Sequence, residues 1–162
     1  MIEFRKITPE NYDELFKLKV AKEQENFVGN PMRTLAECYV YEKDGLLLTP
    51  YAIYANDVMV GFIVYCYYDE NHNESEIFEK NCYHIWRIFF DAKYQGKGYG
   101  KQAVEKVIVE IKTFPHGKAD TIYMSYEPEN IVSKNLFHSF GFVDTNKKFA
   151  DDDDEIIARL KL

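Results

Sequence analysis

Tyr94-Gln95-Gly96-Lys97-Gly98-Tyr99-Gly100-Lys101 is a turn with three glycines at alternate positions, directly ahead of a predicted helix. Glycines in such a turn let successive backbone N–H groups point outward together, and the helix dipole adds positive potential, so the turn suits a bound phosphate or diphosphate. It is not a P-loop, because GxxxxGK[ST] is absent. It is not a dinucleotide-binding turn either, because Lys101 stands where GxGxxG requires a third glycine.

The residues around this turn predict a βαβ unit. Residues 83–90 and 121–127 are rich in β-branched and aromatic side chains and predict two strands. Residues 101–113 predict the helix between them, because apolar residues recur at i, i+3, i+4 and i+7, namely Val104, Val107, Ile108 and Ile111. Strands joined through such a helix lie parallel in one sheet.

The rest of the chain predicts mainly hairpins and short helices. Strands are expected at 2–7, 47–55 and 58–68, with a tight turn at Asn56-Asp57, and a terminal hairpin at 142–149 and 155–162. Helices are expected from Thr8-Pro9 onward, at 35–41 and at 131–140, the last closed by Gly141. The sequence therefore predicts a mixed α/β sheet with helices on both faces.

Composition limits the classes of protein. A chain of 162 residues, 46% hydrophobic, predicts a single domain over residues 1–162. Its net charge of -7 disfavours nucleic acid as a partner and attracts cations. The sequence shows no signal peptide and no apolar run that would span a membrane. The three cysteines lack CxxC spacing, and neither the four histidines nor residues 151–154 show metal-ligand spacing, so we expect reduced thiols, a cytoplasmic location and no metal.

A second set of residues accompanies the glycine turn. The segment 95–100 fits the pattern Q/R-x-x-G-x-G/A, and downstream residues continue it at matching spacing: Asn130, Ser133, Leu136 and Gly141-Phe142. In both respects the chain resembles the GNAT superfamily of acetyl-CoA-dependent N-acetyltransferases. Residues 87–90, together with Ser133 and Asn135, resemble its spermine/spermidine (diamine) acetyltransferase branch most closely.

The resemblance implies a fold and a cofactor site. It implies a mostly antiparallel mixed sheet of about six or seven strands whose central parallel pair splays apart. Acetyl-CoA would lie along the first strand of that pair, on the glycine turn and against the next helix. The implied cofactor-binding residues are Ile88, Phe89, Phe90, Gln95, Gly96, Lys97, Gly98, Tyr99, Gly100, Lys101, Asn130, Ser133 and Phe137. The family also allows a homodimer.

The implied reaction is direct attack of an amine on the thioester. A lysine-like amine with a pKa of ~10.4 must first lose a proton. A backbone N–H near Phe90, freed by a strand bulge, would bind the oxyanion. Polyamine-acetylating relatives carry an acidic base at the position of Trp86, so His84 is the candidate base here, and a water chain is the alternative. Phe137 stands where the family usually has a Tyr that protonates the departing CoA thiolate. Tyr126 or Tyr94 would have to supply that proton instead.

Strand alternation extends these assignments. It places four residues on one face of the strand, namely His84, Trp86, Ile88 and Phe90, and the intervening residues on the other. The candidate substrate-binding residues are Glu23, Glu25, Trp86 and Tyr126, and Glu37, Glu127 and Glu129 are further acids that could bind ammonium groups.

Three hypotheses follow for the function. The first is acetyl transfer to a polyamine such as spermine or spermidine. The second is acetyl transfer to a peptide, lysine or antibiotic amine, because Trp86 replaces the expected acid. The third is a non-catalytic acyl-CoA sensor, because both the expected base and the expected acid are missing.

Overall fold

The computed structural model describes residues 1–25, 30–71, 77–149 and 154–162. Short 3₁₀ turns lie at Lys22–Gln24 and Ala92–Tyr94. In chain order the helices and strands are β1 (Ile2–Lys6), α1 (Tyr12–Phe16), α2 (Pro31–Lys43), β2 (Leu47–Ala55), β3 (Val58–Tyr68), β4 (Cys82–Phe90), α3 (Tyr99–Ile111), β5 (Thr121–Tyr126), α4 (Ile131–His138), β6 (Val143–Asp144) and β7 (Ile156–Lys161).

The strands form one seven-stranded sheet in the order β1-β2-β3-β4-β5-β7-β6. Every neighbouring pair is antiparallel except β4 and β5, so the predicted mixed sheet with a parallel central pair is confirmed. The tight turn between β2 and β3 is also confirmed, because Asn56 and Asp57 both have positive φ, 50° and 61°. No helix among the described residues combines the length and apolar character needed to span a bilayer.

Helices cover both faces of the sheet. On one face, apolar residues of α3 such as Val104 and Val107 join Phe137 of α4 in a core against β3, β4 and β5. On the other face, Leu15 of α1 and Cys38 of α2 pack against β2, β3 and β4. Both cores are apolar and buried, which fixes the two faces of the central strand β4.

Two helices begin where the sequence analysis did not place them. The first was expected to begin at Thr8-Pro9, but α1 begins at Tyr12. The Thr8 carbonyl accepts from the N–H groups of Asn11 and Tyr12, and the Asn11 side chain accepts from Thr8 N at 2.8 Å, so these residues form a turn. The second helix was expected at 35–41, but α2 begins at Pro31 because the Asn30 side chain caps Met32 N at 2.8 Å.

The terminal hairpin is shorter than predicted. Of residues 142–149 only Val143–Asp144 pairs as a strand, against Ala158 and Arg159 of β7. The strand β7 instead pairs along all six of its residues with β5, which incorporates it into the central sheet. The segment between the two predicted strands of this hairpin falls largely on residues 150–153, which lie outside the described residues.

A bulge interrupts β4 in the middle of the sheet. Val64 of β3 pairs with Arg87, and the next residue, Tyr65, pairs with Ile85. Trp86 is therefore an extra residue in β4. The bulge was expected near Phe90, and the structure places it four residues earlier.

The bulge corrects the predicted faces of β4. Strict alternation assigned Trp86 and Ile88 to one face, but an extra residue reverses the alternation beyond it. Three residues consequently pack on the α3 side, Ile85, Ile88 and Phe90. Three others point toward α1 and α2, namely Trp86, Arg87 and Phe89.

Candidate active site

The parallel pair opens just beyond this bulge. β4 and β5 pair only between residues 83–85 and 122–124, so the rest of each strand has no partner on the shared side. Backbone groups of residues 86–90 that point away from β3 therefore lack a strand partner and, apart from the Phe90 carbonyl, which accepts from Gln95, can meet a ligand. This confirms the predicted splayed pair and places an open wedge at the centre of the sheet.

The glycine turn lies at one side of the wedge and has the backbone that the sequence predicted. Gly96 and Gly98 have φ of +73° and +76°, and Gly98 is the N-cap of α3. A side chain at either position would meet no atom within 4 Å, so the requirement for glycine comes from backbone conformation. The turn presents the first N–H groups of α3, which have no acceptor within the helix.

Gln95 fastens this turn to the rest of the site. Its side-chain nitrogen donates to the Phe90 carbonyl at 3.0 Å and to Gln24 Oε1 at 2.7 Å. These two hydrogen bonds connect the glycine turn to the end of β4 and to the 3₁₀ turn that follows α1. Gln95 thus holds the turn in place as well as bordering the groove.

The groove beneath the turn has a volume of about 510 Å³, and we call it the donor groove. It contains every predicted cofactor residue except Lys97 and Phe137. The Nζ of Lys97 lies 5.2 Å from the centre of the Tyr94 ring, and Phe137 borders the neighbouring cavity. The lining residues are Gln24, Ile88, Phe89, Phe90, Tyr94, Gln95, Gly96, Gly98, Tyr99, Gly100, Lys101, Asn130, Val132, Ser133 and Leu136.

A second cavity of about 500 Å³ lies on the other side of the wedge, and we call it the acceptor cavity. It shares Ile88, Asn130 and Ser133 with the donor groove, so the two spaces meet. The Asn130 side chain accepts from Ser133 N at 3.1 Å and caps α4 at this junction. The other lining residues are Glu25, Arg33, His84, Ile85, Trp86, Arg87, Met124, Ser125, Tyr126, Glu127, Phe137, Phe149 and Glu155.

Most of the predicted substrate and catalytic residues border these two spaces. Glu25, Trp86, Tyr126 and His84 line the acceptor cavity, whereas Phe90 lines the donor groove. Glu23, although only two residues from Glu25, lines neither.

His84 occupies an apolar environment. Its side chain is 2% exposed, its ring lies 4.8 Å from that of Phe78, and neither ring nitrogen has a hydrogen-bond partner among the described residues. Burial, assisted by the charge of Arg87, lowers the pKa of His84 to about 3. The imidazole is therefore neutral at pH 7 and a weak base in this conformation. Its assignment as the catalytic base stays a prediction, and this environment does not favour it.

Tyr126 is held by a hydrogen bond of its own. Its hydroxyl donates to Asp144 Oδ1 at 2.7 Å, and His138 Nε2 lies 2.7 Å from the same oxygen. Burial and this hydrogen bond raise the pKa of Tyr126 far above its usual value, so the phenol retains its proton. Phe137 is buried, with its ring 5.3 Å from that of Phe142, and supplies no proton.

Replacing Tyr126 with phenylalanine should leave acetyl transfer within about twofold of the original rate and lower the free energy of unfolding by about 1 kcal/mol. The reason is that its proton is engaged by Asp144. Tyr51→Phe is a matched control, because the Tyr51 hydroxyl likewise donates to a carboxylate, Glu110 Oε1, at a distance of 2.9 Å. Neither residue of that pair lines the acceptor cavity. Thiol release measures the rate of acetyl transfer, and urea unfolding measures the stability. A loss of turnover in Tyr126→Phe but not in Tyr51→Phe would assign Tyr126 as the proton donor.

An ion pair at the acceptor cavity was not found from the sequence. Arg87 Nη1 donates to the Glu37 carboxylate and to Thr34 Oγ1, the latter at 2.8 Å, and Arg33 Nε donates to Glu37 at 2.8 Å. Although burial raises the pKa of Glu37, its bonds to Arg87 and Arg33 hold that pKa below its usual range. Glu37 was predicted as a possible ligand of a substrate ammonium group, but its carboxylate instead accepts hydrogen bonds from two arginines. Only the i, i+4 spacing of Arg33 and Glu37 was visible in the sequence.

Comparison with known proteins identifies the class to which this fold and site belong. Residues 10–142 match the acetyltransferase (GNAT) family. The chain therefore belongs to the GNAT family of acetyltransferases, which confirms the resemblance and the predicted acetyl donor, acetyl-CoA.

Individual relatives extend this result. The chain is 26% identical over 147 residues to a spermine/spermidine N(1)-acetyltransferase of Bacillus subtilis, covering 87% of each chain. Among solved structures, it resembles an aminoglycoside acetyltransferase AAC(6')-Ib in complex with coenzyme A at a TM-score of 0.74 and 15% identity, covering 99% of this chain and 95% of that one. It also resembles a Bacillus subtilis acetyltransferase in complex with CoA, at a TM-score of 0.66 and 20% sequence identity. That likeness covers 99% of this chain and 97% of the other. The two structural likenesses concern the fold.

Proposed function

We propose that this protein transfers the acetyl group of acetyl-CoA to a primary amine of a small polyamine, with spermine and spermidine as the first acceptors to test. The observation that carries the proposal is the junction of the donor groove and the acceptor cavity at Ile88, Asn130 and Ser133. A thioester bound in the first space and an amine bound in the second would meet there. The curated relative from Bacillus subtilis supports the choice of acceptor.

The donor groove accounts for the binding of acetyl-CoA, which supplies the acetyl group as a thioester. The N–H groups of the glycine turn and of the first turn of α3 would bind its diphosphate. The unpaired edge of β4 would lie along the pantetheine arm, because β5 diverges after residue 124. Apolar side chains that border the groove, including Val132 and Leu136, would contact its methylenes.

The acceptor cavity supports a cationic substrate. Three of its lining residues are acids, Glu25, Glu127 and Glu155, whereas its two arginines, Arg33 and Arg87, are both paired with Glu37, and the chain as a whole carries -7. Carboxylates in a cleft raise the local concentration of a polyamine and orient its ammonium groups. They therefore favour the charged acceptor over a neutral one.

The transfer itself needs little from side chains. The amine, once deprotonated, forms the N–C bond, the C–S bond breaks with its electron pair going to sulfur, and the amine loses one further proton to water. A backbone N–H on the unpaired edge of β4 near Phe90 would donate to the oxyanion. With Phe137 unable to donate, the thiol leaves as a thiolate, which a pKa of ~8.5 makes acceptable. The base remains His84 or a water chain.

The test is the release of CoA thiol from acetyl-CoA with a panel of amines. Saturable release with spermine or spermidine is the expected result, and the signal of Cys38, Cys66 and Cys82 is subtracted. Release only with a lysine peptide or an aminoglycoside would select the second hypothesis. Tight acetyl-CoA binding without release from any amine would select the sensor.

Glu25→Gln should raise the KM for spermine about fivefold, or about 1 kcal/mol, because a carboxylate at the cavity is lost. Glu23→Gln is the matched control, since Glu23 is also exposed but does not line the cavity, and its KM should not change. The effect on Glu25→Gln should shrink at high salt. Equal KM values in the two variants would refute an acceptor role for Glu25.

A further inference from the structure

The acceptor cavity carries opposite charges at its two sides. Arg33 and Arg87 belong to α2 and β4, whereas Glu127 follows β5 and Glu155 precedes β7, and the third acid of the lining, Glu25, precedes α2. Tyr126 pairs with Ile156, so the two glutamates stand directly beyond the last residue pair of β5 and β7. Since the strand order is β4-β5-β7, the cations and the acids face each other across the wedge. A ligand of uniformly positive charge matches only one of these sides.

The Arg87 guanidinium is held by hydrogen bonds at one of its nitrogens. Its side chain is 21% exposed, and the guanidinium carbon lies 4.7 Å from the centre of the Trp86 ring. Nη1 is engaged by Thr34 and Glu37, while Nε and Nη2 form no hydrogen bond with any residue that the structure describes. A guanidinium held at one nitrogen and stacked on an indole keeps its remaining donors in a defined plane.

Arg87 shares its carboxylate partner with a second arginine. Glu37 is shared between Arg87 and Arg33, so two guanidinium groups accompany one carboxylate at this side of the cavity. The Arg33 side chain is 75% exposed and therefore well screened by water, whereas Arg87 is largely enclosed. Arg87 is thus the residue at which a ligand anion would gain most.

The bulge in β4 is the reason Arg87 reaches this position. If Trp86 were instead a regularly paired residue of β4, strict alternation would place Arg87 on the same face as Ile85, toward α3 and away from Thr34 and Glu37. The same bulge ends the pairing of β4 with β5 and opens the wedge. The local geometry that exposes the strand edge to acetyl-CoA therefore also places a cation in the acceptor cavity.

We propose that Arg87 binds a carboxylate of the acceptor, so that a diamine carrying a carboxylate is a better substrate than the same diamine without one. A carboxylate accepts two parallel hydrogen bonds from a guanidinium fork, here from Nε and Nη2. The amino groups would then lie toward Glu127 and Glu155. A simple polyamine would use only the acidic side and leave Arg87 facing a cation. The inference rests on the proposed acetyl transfer to a small amine and specifies which amine.

Matched substrate pairs test this directly. Ornithine and putrescine, 2,4-diaminobutyrate and 1,3-diaminopropane, and lysine and cadaverine each differ only in the carboxylate. We expect kcat/KM to be about tenfold higher for the carboxylated member of at least one pair, the fold-change of one charge-assisted bidentate contact. The amide of the preferred amino acid, which keeps the size but loses the charge, should fall to the level of the diamine.

Arg87→Gln should abolish this ratio while the plain diamine is still acetylated. The diamine in each pair thereby reports that the variant is folded and binds acetyl-CoA. Arg87→Lys should retain only part of the ratio, because an ammonium keeps the charge but not the fork.

The possible failures are distinguishable. Equal kcat/KM within every pair, or a ratio that survives in Arg87→Gln, would overturn the carboxylate site and leave acetyl transfer to small amines intact. Thiol release with spermine or spermidine but with no member of any pair would overturn the carboxylate site alone, and release with none of these amines would overturn both proposals.

Discussion

Between pH 7 and pH 4, the free energy of unfolding of the His84→Leu variant should fall by about 3 kcal/mol less than that of the original protein. In the folded chain, burial lowers the pKa of His84 to about 3, whereas the unfolded chain titrates near the ordinary value of about 6.5. Between these values the unfolded state binds the extra proton, so stability falls as the pH falls. Leucine has no proton to bind and removes this contribution.

At pH 7 the same substitution should be neutral or stabilising. Both ring nitrogens of His84 are buried without a partner among the described residues, and the ring packs against Phe78 and Tyr68. An apolar side chain of similar size removes two unsatisfied polar atoms from that environment. Urea unfolding of His84→Leu and the original protein at several pH values measures both effects.

His138→Gln is the control for loss of an imidazole, because His138 is exposed at the surface beside Asp144. Unfolding free energies that fall in parallel with pH in His84→Leu and the original protein would contradict the prediction. The variant also tests the catalytic assignment. If His84→Leu is stable but has lost acetyl transfer, the base is His84, and if transfer persists, the proton leaves by water.

Gly98→Ala should weaken the binding of acetyl-CoA by about 10- to 30-fold, which corresponds to the strain of a side chain in the left-handed region. Gly98 has φ of +76° and is the N-cap of α3, so the turn can relieve that strain only by moving its N–H groups away from the position proposed for the diphosphate. Isothermal titration of acetyl-CoA measures the loss.

Gly141→Ala is the matched control for strain. Gly141 also has positive φ, +89°, and an added Cβ would make only an ordinary contact of 3.5 Å with Leu160. Gly141 does not line the donor groove, so its substitution should lower stability without changing acetyl-CoA affinity. Equal affinities in the two variants would show that the glycine turn does not depend on the conformation of Gly98.

The donor side of the site was predictable because its information is local. The glycine turn and the helix that follows it are contiguous in sequence, and left-handed φ at Gly96 and Gly98 is a property of those residues themselves. Asn130 caps Ser133, three residues away, within one helix turn. The family resemblance that these local motifs carry implied most of the residues that line the donor groove, and their role in binding acetyl-CoA stays a prediction.

The acceptor side depended on contacts between distant parts of the chain. Glu37 and Arg87 are 50 residues apart and meet only because α2 packs over β4. The pKa of His84 is lowered by burial, with Arg87 adding to the effect, and the enclosing rings come from Tyr68 of β3 and from Phe78 in the segment before β4. Neither relation has a signal at fixed spacing in the sequence.

The amino-acid sequence by itself determined the order of strands and helices, the conformation of the glycine turn and the family to which the chain belongs. The tertiary structure alone decided which side chains of β4 enter the acceptor cavity. The physical reason is the bulge at Trp86. One extra residue reverses the alternation of β4 beyond it, so strict alternation assigns each residue from Arg87 to Phe90 to the wrong face. The position of Arg87 beside Glu37 and Thr34 follows from that single residue.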